Sequence, residues 1–309
     1  MRCPWWCGPC PEDIRGAGLP SRMTIQIIPV EPGHVAELGR ICFEAFGALQ
    51  DRHGVERDFD SVETATMLIG MFASRADFAG FAAMEGRTLV GSNFLGFSDP
   101  VAGVGPITIR PETQSAGLGR ALMIAVMDEA RRRGIHQVRL QQEAINTVSL
   151  SLYTKLGFDW RESCALMKLA PAAADHPLVR PATADDLSEI DRVSLRHYHA
   201  SRKNEVAWML KAGMPGFVFR DPGGRVSGYY LPGFIGHGFA ESADGLAALM
   251  LHAARYAPPP FLRALVPLGE VALHRALLKG GCRTIKLFNY MTTGAYERPR
   301  SAWVPSIGM

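Results

Sequence analysis

Ile109-Arg110-Pro111-Glu112-Thr113-Gln114-Ser115-Ala116-Gly117-Leu118-Gly119-Arg120 is the stretch that decides how the rest of the chain is read. Apolar residues from 101 to 109 lead into it and predict a strand. Beyond it, Leu118, Leu122, Ala125, Val126 and Ala130 recur at intervals of three and four and predict a helix. A strand that breaks at a glycine-rich turn into a helix N-terminus leaves several backbone N–H groups unpaired, and such an end binds anions. Gly117 and Gly119 let the backbone approach a phosphate with no Cβ in the way, and the helix dipole adds a favourable field. The turn lacks the Gly-Lys-Ser/Thr of a Walker loop and the three spaced glycines of a dinucleotide-binding turn.

On the N-terminal side, two apolar strands over 78–84 and 88–97 flank Glu85-Gly86-Arg87 and predict a hairpin. On the C-terminal side, the helix closes on Arg131, Arg132 and Arg133 followed by Gly134, ordinary stop signals that need no ligand. Residues 136–142 then predict a short strand. Glu143-Ala144-Ile145-Asn146 leaves it, and a helix over 146–156 ends in Tyr153-Thr154-Lys155-Leu156-Gly157-Phe158.

This order of elements occurs twice. The strand-to-helix string Ile28-Pro29-Val30-Glu31-Pro32-Gly33-His34 returns as Arg180-Pro181-Ala182-Thr183-Ala184-Asp185-Asp186, 152 residues later. The hairpin around Gly80-Phe81 and Gly91 returns around Gly216-Phe217 and Gly228, and Lys155-Leu156-Gly157 returns as Lys279-Gly280-Gly281. The second copy is therefore shorter. Ala170-Pro171-Ala172-Ala173-Ala174-Asp175-His176-Pro177 has no amphipathic period and reads as the linker. The expected fold is α+β, two tandem units, each a twisted mixed sheet flanked by helices. The expected boundaries are a disordered leader over 1–22, a first domain over 23–169, a linker over 170–177 and a second domain over 178–309.

Length and composition agree with that division. The 309 residues are about two average domains, and 47% hydrophobic with 20% charged residues is ordinary globular composition. No run approaches the ~18 apolar residues of a membrane span, so no membrane association is expected. A net charge of +3, from 33 basic and 30 acidic residues, gives no basic stripe for nucleic acid. Trp6-Cys7-Gly8-Pro9-Cys10 spells a thioredoxin-like string, but the six residues before Cys7 cannot supply the strand that such chemistry needs. Cys42, Cys164 and Cys282 are far apart, which points to a reducing, cytoplasmic setting.

The turn with its preceding Ile109-x-Pro111, and the later Asn146 and Tyr153-x-Lys155-x-Gly157-Phe158, resemble the two signature motifs of the GNAT N-acyltransferase superfamily over roughly residues 24–169. The resemblance implies a co-substrate, acetyl-CoA or another short acyl-CoA, and no metal. It implies that backbone groups near Ile107 and Ile109 bind the pantetheine arm. Gln114, Ser115, Ala116, Gly117, Leu118, Gly119 and Arg120 would hold the pyrophosphate. Tyr153 matches the tyrosine that serves the departing thiolate, and Asn146 either binds cofactor or caps its helix. Glu143 and Asp99 are the candidate bases; Glu112 reads equally as a solvated loop carboxylate.

The implied activity is transfer of an acyl group to a primary amine by direct attack in a ternary complex. The acceptor is a small molecule or a peptide, and an oligomer is compatible with the sequence. The other class is a non-catalytic acyl-CoA sensor or assembly protein. The second copy reads Phe239-Ala240-Glu241-Ser242-Ala243-Asp244-Gly245 at the turn, with no Gln and with carboxylates that repel a pyrophosphate, and it places Leu277 where the first has Tyr153. It is expected to be degenerate, covering the first copy and helping to shape the acceptor pocket; His197, Tyr198, His199, Tyr229 and Tyr230 read either as lining residues or, more often for their types, as packed or surface side chains.

Overall fold

A computed structural model describes residues 25–114 and 117–306. The leader, with Cys3, Cys7 and Cys10, therefore lies outside the described residues. The first half runs β1 (Ile25–Pro29), α1 (Val35–His53), α2 (Val62–Ala73), β2 (Phe78–Glu85), β3 (Thr88–Gly96), β4 (Ala102–Val104) and β5 (Thr108–Ile109). It continues with α3 (Leu118–Arg132), β6 (Val138–Glu143), α4 (Thr147–Lys155) and β7 (Asp159–Lys168). The second half runs β8 (Val179–Pro181), α5 (Leu187–His197), α6 (Lys203–Lys211), β9 (Phe217–Arg220), β10 (Val226–Leu231) and β11 (His237–Ala240). It ends with α7 (Ala243–Ala253), β12 (Arg263–Pro267), α8 (Val271–Lys279), β13 (Arg283–Thr293) and β14 (Ala302–Val304). The same succession of strands and helices thus occurs twice, except that the first half has both β4 and β5 where the second has β11, and the second half adds β14.

The sheets do not respect the division into halves. A nine-stranded sheet runs β1-β2-β3-β4-β6-β13-β7-β12 with β5 beside β3, and a five-stranded sheet runs β14-β11-β10-β9-β8. The halves therefore exchange strands. β13 lies between β6 and β7 of the first half, and β7 lies between β13 and β12 of the second, all antiparallel. No sequence period announces this exchange, because a buried strand carries the same apolar pattern whichever sheet it joins.

One strand expected from the sequence is two. Residues 101–109 break at Gly105-Pro106, since proline has no N–H to give the ladder. β4 pairs in parallel with β6 from Ala102↔Val138 to Val104↔Leu140, whereas β5 pairs with β3 through Gly91↔Ile109. Glycine at 91 makes that approach possible, because a Cβ there would lie 2.4 Å from the Thr108 carbonyl oxygen.

Helices cover both faces of the first half's strands. Leu38 and Ile41 of α1 and Leu68, Ile69 and Phe72 of α2 pack on Ala82 and Phe94. On the opposite face, Met123 and Val126 of α3 pack on Leu95, Val138 and Leu140. Each such side chain contributes about 1.5–3 kcal/mol by leaving water. Leu166, Phe288 and Tyr290 meet Tyr229, Phe239 and Trp303 in the core between the two sheets. Arg75 ties the halves further, its guanidinium 2.6 Å from Glu205 and 2.8 Å from Asp77. Among the described residues, no helix is long and apolar enough to cross a membrane.

Candidate active site

Past Val104 the backbone bends away at Gly105-Pro106, while β6 continues to Glu143 against β13. The gap between them opens a cavity of about 120 Å³. Gly105, Pro106 and Ile107 line it together with Asn146, Ser149 and Tyr153 at and within α4. Phe46, Asp58, Phe59, Gln141, Glu143 and Phe288 also line it, with Phe234, Ile235 and Arg263 of the second half.

Where the glycine turn meets α3, the helix start has no side-chain cap. Gly117 takes φ 77° at the N-cap of α3, a left-handed conformation that glycine adopts without strain, and it offers no side chain to satisfy the first amides of the helix. A Cβ on Gly119 would lie 3.3 Å from Ile109 Cδ1 and 3.4 Å from Leu152 Cδ2, so the start of α3 sits against β5 and against the neighbour of Tyr153. Gln114 is exposed and its Nε2 donates to the Ile109 carbonyl at 3.4 Å. Leu118 is buried beneath the turn and Arg120 is exposed. Ser115 and Ala116 lie outside the described residues.

Tyr153 is buried on α4 and its ring packs against Phe158. Burial pushes its phenol up to about 12. That is farther from a thiol's ~8.5 than a free phenol's ~10 is, so the hydroxyl keeps its proton. Asn146 caps α4: its side-chain oxygen accepts from the Ser149 amide at 3.1 Å while it lines the cavity.

Glu143 ends β6 with its side chain 4% exposed. Burial raises its pKa, and Lys286, the next influence, acts in the opposite sense. Gln50 binds the same group, its Nε2 donating to Asp58 at 2.7 Å and to Glu143 Oε2 at 3.4 Å. Among the described residues, no group of three His, Cys, Asp or Glu side chains could hold a metal ion.

The other expected residues are elsewhere. Asp99 does not face the cavity; it accepts the backbone amides of Asn204 at 3.0 Å and Glu205 at 3.1 Å and so holds the start of α6. Glu112 is exposed. Tyr198, Tyr229 and Tyr230 are buried in the cores, and His197 and His199 are absent from the cavity wall. Helix α5 and strand β10 face the interior of the second half, so their aromatic side chains pack there. Arg132 and Arg133 pair with Glu129 at 2.7 and 2.6 Å and Arg131 pairs with Asp128, as helix-end cations do. Sequence reasoning missed Asp58, Gln50, Arg263, Phe234 and Lys286. Asp58 sits in an irregular loop, and strand exchange alone brings Lys286 to the site.

Residues 43–158 match the family described as Acetyltransferase (GNAT) family. The mycothiol acetyltransferase of Thermobispora bispora is 38% identical over 85 residues, 25% of this chain and 29% of that protein. That of Nocardia farcinica is 46% identical over 59 residues, 19% of this chain and 20% of that protein. The matched segments thus span less than a third of these relatives. Among solved structures, a candidate acetyltransferase of Pyrococcus horikoshii has a TM-score of 0.74 at 13% identity, covering 96% of this chain and 98% of that one. A tandem GNAT protein from the clavulanic acid biosynthesis pathway has a TM-score of 0.54 at 12% identity, covering 89% and 99%. At such identities the likeness is one of fold, and it extends over nearly the whole length. The match to the acetyltransferase (GNAT) family thus covers residues 43–158, and the likeness of fold extends over nearly the whole chain.

Proposed function

We propose that the chain is a cytoplasmic acyl-CoA-dependent N-acyltransferase that moves an acetyl or other short acyl group to a primary amine. The observation that carries this reading is the meeting of Glu143 and Tyr153 in one cavity at the strand splay, next to an uncapped helix N-terminus. The first half, residues 23–169, is read as the catalytic GNAT domain. Residues 178–309 are read as a degenerate GNAT-like domain that walls the acceptor end.

In this reading the pyrophosphate sits on the amides that follow Gln114 and the pantetheine arm lies along Ile107 and Ile109. The amine enters from the side of Phe234 and Glu143. Glu143 takes a proton from the ammonium, the free amine attacks the thioester carbonyl, and the new C–N bond replaces the C–S bond. The Tyr153 hydroxyl donates a hydrogen bond to the departing thiolate, which takes up, through water, the second proton that the nitrogen sheds as the tetrahedral intermediate collapses. The relatives' name, mycothiol acetyltransferase, fits acceptance of a small amine.

The test is thiol release from acetyl-CoA across polyamines, amino sugars and amino-acid amides. Turnover with at least one acceptor is the expected result. Coenzyme A binding with no release for any acceptor would instead support an acyl-CoA sensor.

A further inference from the structure

Lys286 belongs to the second half in sequence, yet its ammonium lies inside the first half's site. Its Nζ is 2.6 Å from Glu143 Oε1 and 2.9 Å from Asp58 Oδ1, and it donates to the Glu56 carbonyl at 3.3 Å. The side chain is 3% exposed. Strand register puts it there. Phe288 lies opposite Glu143, and two residues before it Lys286 projects from the same face of β13.

We propose that Lys286 is a positioning residue for acyl transfer: by bridging Asp58 and Glu143 it fixes the carboxylate that receives the amine's proton. The inference rests on reading Glu143 as that base. Glu143 is buried and Asp58 half-buried beside the same ammonium, and a cation between two neighbouring carboxylates offsets their mutual repulsion. Lys286 supplies it, and it holds Oε1, leaving Oε2 with only the 3.4 Å contact from Gln50. The remaining groups around Asp58 are spoken for. Arg263 lies 3.5 Å from it but also pairs with Glu56, and the buried Cys42 thiol is pushed up and stays neutral. The second half is then part of the catalytic apparatus rather than a cover. Removing its strand would leave the base without its counter-ion.

The experiment is the pH dependence of kcat, with acetyl-CoA and the fastest amine of the panel above, for the wild type, Lys286→Met, Lys286→Arg and Asp58→Asn. Lys286 lowers the Glu143 pKa and Asp58 raises it. Lys286→Met should therefore move the acid limb up by about one pH unit or more, a tenfold effect on the acid side. Asp58→Asn should move it down. Lys286→Arg should restore the limb, and KM for acetyl-CoA should stay within about twofold throughout. A structural role alone moves neither limb, so a limb fixed in both variants overturns the proposal. Should Lys286→Met not fold, Asp58→Asn decides alone: a downward shift supports the proposal and an unmoved limb overturns it. A wild type that turns over no amine sinks the enzymatic reading and this inference with it, whereas turnover with unmoved limbs sinks this inference only.

Discussion

The two halves share an order of elements and differ at the gap on which the proposed chemistry depends. In the first, β4 and β6 part after Val104 and Leu140 and leave a cavity. In the second, an isolated parallel bridge, Gly236↔Ala264, joins β12 to the residue just before β11, and the chain's own β14 pairs with β11 from Gly238↔Val304 to Ala240↔Ala302. Trp303, at the centre of that strand, is fully buried and packs edge-on against Tyr290 and Tyr198. The helix starts differ in the same sense. Gly117 leaves the amides of α3 open, whereas Ser242 caps α7 by accepting from the Gly245 amide at 3.1 Å. Where the first half ends β6 on Glu143, the second ends β12 on Pro267. A duplicated fold thus holds an open slot in one copy and fills the matching place in the other with protein.

That contrast can be broken at several points. Glu143→Gln, which removes the carboxylate that the second half lacks, should lower kcat by about 10²–10⁴-fold while calorimetry shows coenzyme A affinity unchanged. Trp303→Ala should cost about 3–5 kcal/mol in denaturant unfolding, because a strand wedged in a slot loses its anchor. Unchanged stability would mean that β14 does not fill the place as described. Tyr153→Phe should reduce kcat by about 10–100-fold, the worth of one hydrogen bond to a charged atom, and leave KM for acetyl-CoA unaltered. Ser242→Ala should cost only about 1 kcal/mol in stability, and coenzyme A titration should not register it.

Local physics made much of this legible in advance. The glycine turn, the helix behind it and the cap at Asn146 follow from φ preferences, side-chain period and capping chemistry, all of which act within a few residues. The duplication was visible because glycines and turn residues recur in order. What escaped is non-local. The exchange of β7 and β13 depends on which buried edge pairs with which, and Lys286 reaches Glu143 only through that pairing. Asp99 looked like a base because it precedes the motif strand, yet the geometry gives it to the start of α6. The histidines and tyrosines of the second half were plausible pocket residues by type. The three tyrosines turn into the core, the half-buried His197 and His199 lie beside Glu241 and Glu297, and Phe234, Ile235 and Arg263 form the wall instead.

The most direct test of the contrast is calorimetric titration of the whole chain with coenzyme A. One site per chain is predicted, lost in Gly117→Glu, where bulk and negative charge enter the phosphate position, and retained in Ser242→Ala. Two sites per chain, or a single site that survives Gly117→Glu, would contradict it.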